Sequence, residues 1–131
     1  MTEKKTVSVV GAVIRDNGRI LAARRGYGEF RGGWEFPGGK IENGETPEAA
    51  LAREIKEELD AVISVDSYID TVEYDYPKFR LSMRCYFCSV ISGKLSLREH
   101  EAVRWLTKAE LDSVGWLPAD LIVIPRLKEL L

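Results

Sequence analysis

Gly38-Gly39-Lys40-Ile41-Glu42-Asn43-Gly44-Glu45-Thr46-Pro47-Glu48-Ala49-Ala50-Leu51-Ala52-Arg53-Glu54-Ile55-Lys56-Glu57-Glu58-Leu59-Asp60 is the stretch on which the reading of the whole chain turns. From Thr46 to Leu59 it predicts a helix. Thr46 is a good N-cap, Pro47 suits the first helical position, and Glu48 complements the positive end of the dipole. Leu51, Ile55 and Leu59 recur at i, i+4 and i+8 and define one buried stripe. On a helical wheel they fall within an arc of about 80°, and Glu54, Glu57 and Glu58 occupy an adjacent arc of about 100°. Like charges at these spacings destabilise a helix by about 0.2–0.5 kcal/mol per pair. A hard divalent cation offsets that repulsion directly, because it favours carboxylate oxygens. The competing reading is a solvated acidic face with Arg53 and Lys56 as partners. The preceding loop tips the balance toward a ligand site: Gly38, Gly39 and Gly44 let the backbone bend sharply and approach a bound group closely.

The chain has 131 residues, 45% of them hydrophobic and 31% charged. That is the composition of one globular domain spanning 1–131, long enough to bury a core without disulfides or a structural metal. Nineteen Lys+Arg against 21 Asp+Glu leave a net charge of −2, which argues against holding duplex nucleic acid by broad phosphate neutralisation. Seven of the 21 acids lie between Gly38 and Asp60, beside only three bases. Apolar runs are too short for a transmembrane helix. Met1-Thr2-Glu3-Lys4-Lys5 leads into a β-like stretch with no apolar signal region, so the expected compartment is the cytoplasm. Cys85 and Cys88 sit three apart on an expected strand. They therefore project to opposite faces and read as structural thiols, not a metal or redox pair.

Around the central helix the pattern is β-rich. Thr6–Arg15 and Arg19–Arg24 predict a hairpin closed by Asp16-Asn17-Gly18. A glycine-bearing loop, Gly26–Gly33, precedes a short strand fragment, Trp34–Phe36, which Pro37-Gly38-Gly39 is expected to stop. Ala61–Tyr76 and Phe79–Ile91 predict a long hairpin joined at Pro77-Lys78, with a turn at Ser92-Gly93. Ala102–Leu106 reads as a strand. Thr107-Lys108-Ala109-Glu110 is a capping-box signature for a short helix. Leu121–Leu131 predicts a last helix, with Pro125 near its first turn. Strands on both sides of a central helix give a mixed α/β (α+β) domain.

Gly39, five residues, Glu45, seven residues, then Arg53-Glu54-Ile55-Lys56-Glu57-Glu58 resembles the Nudix box of the Nudix hydrolase superfamily. One position departs: Asp60 stands where the family usually has Gly, and Asp can also take the left-handed conformation of a helix exit. Trp34-Glu35-Phe36-Pro37-Gly38-Gly39-Lys40-Ile41-Glu42, Gly44-Glu45-Thr46-Pro47-Glu48, Arg24-Arg25, Glu73-Tyr74-Asp75-Tyr76-Pro77 and Pro118-Ala119-Asp120 are similar to MutT-type nucleoside triphosphate pyrophosphohydrolases, including the branch acting on CTP or modified dCTP. The implied fold is the Nudix α/β/α sandwich around a mixed β-sheet.

The resemblance also implies roles. Glu54, Glu57 and Glu58 would hold Mg²⁺ (or Mn²⁺) with the Gly38 carbonyl, and one of them, Glu54 being a candidate, would activate the attacking water. Glu99 either joins the metals from a loop or is a solvated acid. Gly39, Glu45 and Arg53 are structural in the motif, Arg53 bracing the loop through Glu45. Lys40 and Arg24 or Arg25 are the expected phosphate contacts, since cationic forks suit phosphate oxygens. Phe36, with Tyr74, Tyr76 and Phe79, stacks on the base or belongs to the core. Asp120 contacts the base or caps the last helix; ionised, it would accept from an exocyclic amine, as on cytosine or adenine. His100, the only histidine, is expected in a surface loop. The implied activity is Mg²⁺-dependent hydrolysis of a (d)NTP to the (d)NMP and diphosphate. It would clear cytosine nucleotides or 8-oxo-dGTP from the pool, in a monomer or homodimer with a small nucleotide as its partner and neither membrane nor duplex bound. A dinucleotide polyphosphate or ADP-ribose hydrolase, and a non-catalytic nucleotide-binding module, are the alternatives.

Overall fold

The computed structural model describes residues 4–131; the reading of Met1–Glu3 as free of a signal region lies outside them. Seven strands form a mixed sheet: β1 (Thr6–Asp16), β2 (Arg19–Arg25), β3 (Trp34–Glu35), β4 (Gly38–Lys40), β5 (Val62–Asp75), β6 (Arg80–Ser92) and β7 (His100–Leu106). Helix α1 (Pro47–Leu59) follows β4, and α2 (Pro118–Leu130) comes last. The main path runs β3-β2-β1-β6-β5, with β4 paired to β1 and β7 to β2. β1 and β6 are parallel, while the β1–β2, β1–β4, β2–β7 and β5–β6 pairs are antiparallel.

Period-two alternation divides the apolar residues between two cores, one on each face. Val10, Ala12 and Ile14 of β1, with Tyr86 and Cys88 of β6, pack against Leu51, Ile55 and Leu59 of α1. Val13, Met83, Cys85 and Phe87 point the other way, against Ala119, Val123, Ile124 and Leu127 of α2. Helix, sheet and helix thus form the expected sandwich. Cys85 and Cys88 fall in opposite cores as free thiols, and burial pushes both thiol pKa values up. The hairpin turn is set by two left-handed residues, Asn17 (φ 50°) and Gly18 (φ 74°).

Three local expectations are corrected. The fragment at Trp34 does stop, at Glu35, but the glycines that follow are not a plain breaker: Gly38–Lys40 forms a separate strand, β4, antiparallel to Val9–Gly11. The capping box at Thr107 opens only a 3₁₀ turn, Lys108–Glu110, in which the Glu110 carboxylate accepts from the Thr107 N–H and hydroxyl at 2.9 Å each. Helix α2 begins at Pro118, not at Leu121, so Pro125 lies well inside it. Pro125 and Leu121, whose carbonyl loses its helical partner, are both exposed, so water can satisfy the freed oxygen.

Candidate active site

Helix α1 starts where its sequence says. The Thr46 hydroxyl accepts from the Ala49 N–H at 3.1 Å, and Asp60 ends the helix in the left-handed conformation at φ 55°. Arg53 then ties the helix to the loop before it. Its Nε and Nη2 donate to the two oxygens of Glu45 at 2.8 and 2.9 Å, and Nη2 also donates to the Lys40 carbonyl at 3.0 Å. Glu45 in turn accepts from the Glu42 N–H at 2.9 Å. This paired guanidinium holds the Glu45 carboxyl down to about 2. The Nη1 edge of Arg53 reaches Glu54 at 2.9 Å and Glu57 at 3.5 Å.

Beside this brace opens a cleft of about 760 Å³. Its lining includes the carboxylates Glu54, Glu57, Glu58 and Glu99 with Gly38 and Lys40, and an apolar group, Phe36, Tyr76, Phe79, Met83 and Leu117, with Asp120. Glu58 is buried, and its Oε2 has no hydrogen-bond partner among the described residues. Burial, reinforced by the charges of Glu99, Glu54 and Glu35, pushes its carboxyl up to about 9. Burial also raises Glu54, against the lowering effect of Arg53. Among the described residues no three such groups stand together closely enough to hold an ion as they are; Arg53 lies 2.9 Å from Glu54 and 3.5 Å from Glu57. The donor set nevertheless fits a hard divalent cation. Its side-chain donors are all carboxylates, one of them buried with an idle oxygen, and a cation restores the charge that burial disfavours.

Of the expected phosphate contacts, Lys40 and Arg25 face the cleft and Arg24 does not. Neighbours on β2 project to opposite sides: Arg24 lies 3.7 Å from Glu101 and over the Trp34 ring. Arg25 pairs with Glu35 at 3.6 Å and donates to the Tyr27 hydroxyl at 3.3 Å. Phe36 is buried and packs on Trp116 with ring centroids 4.6 Å apart, leaving part of its ring in the cleft.

Asp120 is not the cap of α2. Leu117 holds that position, and the Asp120 Oδ1 accepts instead from the Phe36 N–H at 2.9 Å. Burial lifts the Asp120 carboxyl to about 8. A folded-state pKa of about 8 lies above the ordinary 3.8, so between those values the folded state keeps a proton that the unfolded state releases. Stability from this group therefore falls as pH rises from about 4 to about 8. Asp120→Asn keeps the acceptor for Phe36 and removes the titration. The difference in unfolding free energy between variant and wild type should move in favour of the variant across that range, as read by urea denaturation at pH 5 and pH 8.

The sequence reading also misplaced His100. It is the first residue of β7, buried, with its Nε2 3.0 Å from the Glu35 Oε2. Glu35, which that reading left without a role, therefore links this imidazole to Arg25 and lines the same cleft. The pairing of Arg25 with His100 across β2 and β7 is a tertiary register with no local signal.

The family described as NUDIX domain matches residues 4–127. A protein of Escherichia coli K12 named 8-oxo-dGTP diphosphatase is 32% identical over 128 residues, covering 97% of this chain and 99% of its own. The CTP pyrophosphohydrolase of the same organism is 32% identical over 118 residues, covering 89% and 87%. The solution structure of the Escherichia coli ORF135 protein superposes with a TM-score of 0.84 at 31% identity, covering 97% of this chain and 91% of that one.

Proposed function

Because this chain belongs to the NUDIX family, and is by that membership a hydrolase of phosphoric anhydrides with a nucleotide-sanitising activity, we propose that it converts a (d)NTP and water to the (d)NMP and diphosphate with Mg²⁺ bound. The observation that carries this reading is one cleft lined both by carboxylates, one with an unsatisfied buried oxygen, and by aromatic rings beside a buried Asp. The first group suits a metal-bound triphosphate and the second a base.

Nudix hydrolases require a divalent metal; here Glu54, Glu57, Glu58 and the Gly38 carbonyl would hold it, with Glu99 closing from β7's leading edge. The ion supplies positive charge against the phosphates and acidity for the attacking water. The protein's own groups do the rest. Lys40 and Arg25 orient the triphosphate, and one of the box glutamates takes the proton of the water. Arg53 keeps the glycine loop in register with α1. Phe36 and Asp120 receive the base. Glu54, half-buried and raised in pKa, is the glutamate we favour as base.

We favour cytosine nucleotides over 8-oxo-dGTP as substrates. Asp120, with its carboxyl lifted to about 8, is largely protonated at neutral pH and can donate to a ring nitrogen, and once ionised it accepts from an exocyclic amine. No helix among the described residues is long and apolar enough to cross a membrane, and we place the activity in the cytoplasm with the nucleotide pool it would act on. The test is a panel of canonical, oxidised and methylated (d)NTPs with Mg²⁺, read by diphosphate release and product identity. Turnover concentrated on a few members, with one NMP and one diphosphate formed, is expected. Uniformly negligible turnover overturns the proposal in favour of a nucleotide-binding module, and two nucleotidyl products would mark a dinucleotide polyphosphate or ADP-ribose hydrolase.

A further inference from the structure

The first turn of α2 has no cap of its own. Leu117 at the N-cap position offers no side-chain acceptor, and Pro118 has no N–H to satisfy. The next donor, the buried Ala119 N–H, points at the hydroxyl of Tyr76, 3.3 Å away and 43 residues earlier in the chain. That phenol stands just past the end of β5 and is only 7% exposed. Three rings fix it in place: Phe30, Tyr74 and Phe79, with centroids at 5.1, 4.6 and 5.2 Å. Its backbone is held too, since the Tyr76 carbonyl accepts from Lys4 Nζ at 2.9 Å. A stiff acceptor on the sheet thus takes the place of the missing cap residue.

The residue after Ala119 is Asp120. Its carboxylate is held from the opposite side by the Phe36 N–H at 2.9 Å. Asp120 is therefore bracketed: the amide just before it is held from the end of β5 through Tyr76, and its own side chain from the end of β3 through Phe36. Tyr76 and Asp120 line the same cleft. A shift of the first helical turn would carry the carboxylate with it, away from whatever base lies there. We propose that Tyr76 is a positioning residue for nucleotide specificity: its hydroxyl caps α2 across the fold and holds Asp120 at the place where it meets the base. The proposal rests on the reading of Asp120 as the base contact. It adds a role for the oxygen of Tyr76 that stacking alone does not require, since a phenylalanine would stack equally well.

Tyr76→Phe keeps the ring packing and deletes only the acceptor. Amide exchange at Ala119 and Asp120, followed by NMR in the metal-free protein, should accelerate about tenfold or more, with amides in the last turn of α2 unchanged. For the best (d)NTP of the panel, KM should rise about five- to tenfold with kcat within about twofold, the signature of lost ground-state binding. In a double-mutant cycle with Asp120→Asn, the two KM effects should not multiply. Once Asp120 no longer reads the base, deleting the Tyr76 hydroxyl should change KM by less than about twofold. A merely structural hydroxyl would give multiplying effects, and that result overturns the proposal, as does unchanged exchange at Ala119 in an active enzyme. Wild-type protein inactive on every nucleotide overturns the functional reading first and this proposal with it, so the two failures are distinguishable.

Discussion

Glu58→Gln should lower diphosphate release by about a thousandfold or more at saturating Mg²⁺, with the fold intact, because it removes one charged ligand from a cation that must neutralise several phosphate oxygens. The choice of Glu58 over its neighbours follows from burial. Its side chain lies under the cleft with Oε2 unpartnered, whereas the Glu57 side chain is 61% exposed and 3.5 Å from Arg53. A dehydrated carboxylate has no competing water, so a cation that reaches it gains the full interaction. The amide of Gln fills the same volume and is neutral, the form that burial already favours at this position, so the thermal transition of the metal-free variant should match wild type or exceed it. Glu57→Gln should also reduce turnover by orders of magnitude through the loss of a second ligand charge. Steady-state rates across a Mg²⁺ titration, with circular-dichroism melts of each variant, decide this. Near-wild-type turnover in Glu58→Gln would remove Glu58 from the metal shell.

What the chain discloses locally, and what it hides, follows the range of the interactions involved. The α1 segment is self-contained: cap, first-position proline, apolar stripe and left-handed exit are all set by residues within a turn of one another, and each stands where expected. The separation of Cys85 and Cys88 to opposite cores needs only the two-residue period of a strand. Arg53 and Glu45 meet because the seven residues between them are the cap and first turns of α1, which carry Arg53 back over the loop that precedes the helix. Other features needed a distant partner. Gly38-Gly39 looks like a terminator in isolation, yet β1 supplies the hydrogen bonds that make it a strand. Asp120 looks like an N-cap because a small acid precedes an apolar run. Its actual partner, the Phe36 N–H, is 84 residues away. Arg24 and Arg25 cannot be told apart until β2 is placed, and then one residue of register decides which enters the cleft. His100 has no local feature that places it inside, yet the β2–β7 pairing carries it inward against Glu35.

The adjacent glycines of β4 should fail in opposite ways when replaced by alanine. A Cβ at Gly38 would lie 1.9 Å from the Val10 carbonyl oxygen and 3.1 Å from the Gly11 Cα. Both are backbone atoms of a central strand and neither can move without breaking the β1–β4 pairing. Gly38→Ala should therefore destabilise the fold by about 3 kcal/mol or more, the upper range of overpacking in a well-packed interior. A Cβ at Gly39 meets something different: the Glu54 carboxyl, whose nearest atoms would lie at 2.3 and 2.4 Å. That carboxyl is the far end of a flexible side chain and will swing aside. The fold should survive Gly39→Ala with little change in melting temperature. Glu54, however, would leave both the Arg53 Nη1 contact at 2.9 Å and the cleft, so turnover should fall by about a hundredfold or more through misplacement of one reacting group. Denaturation midpoints and saturating rates measured on both variants separate the outcomes. Loss of stability without selective loss of turnover in Gly39→Ala would show that Glu54 is a strut of the fold and not part of the reacting constellation. The same pattern in Gly38→Ala, by contrast, is what close backbone packing demands.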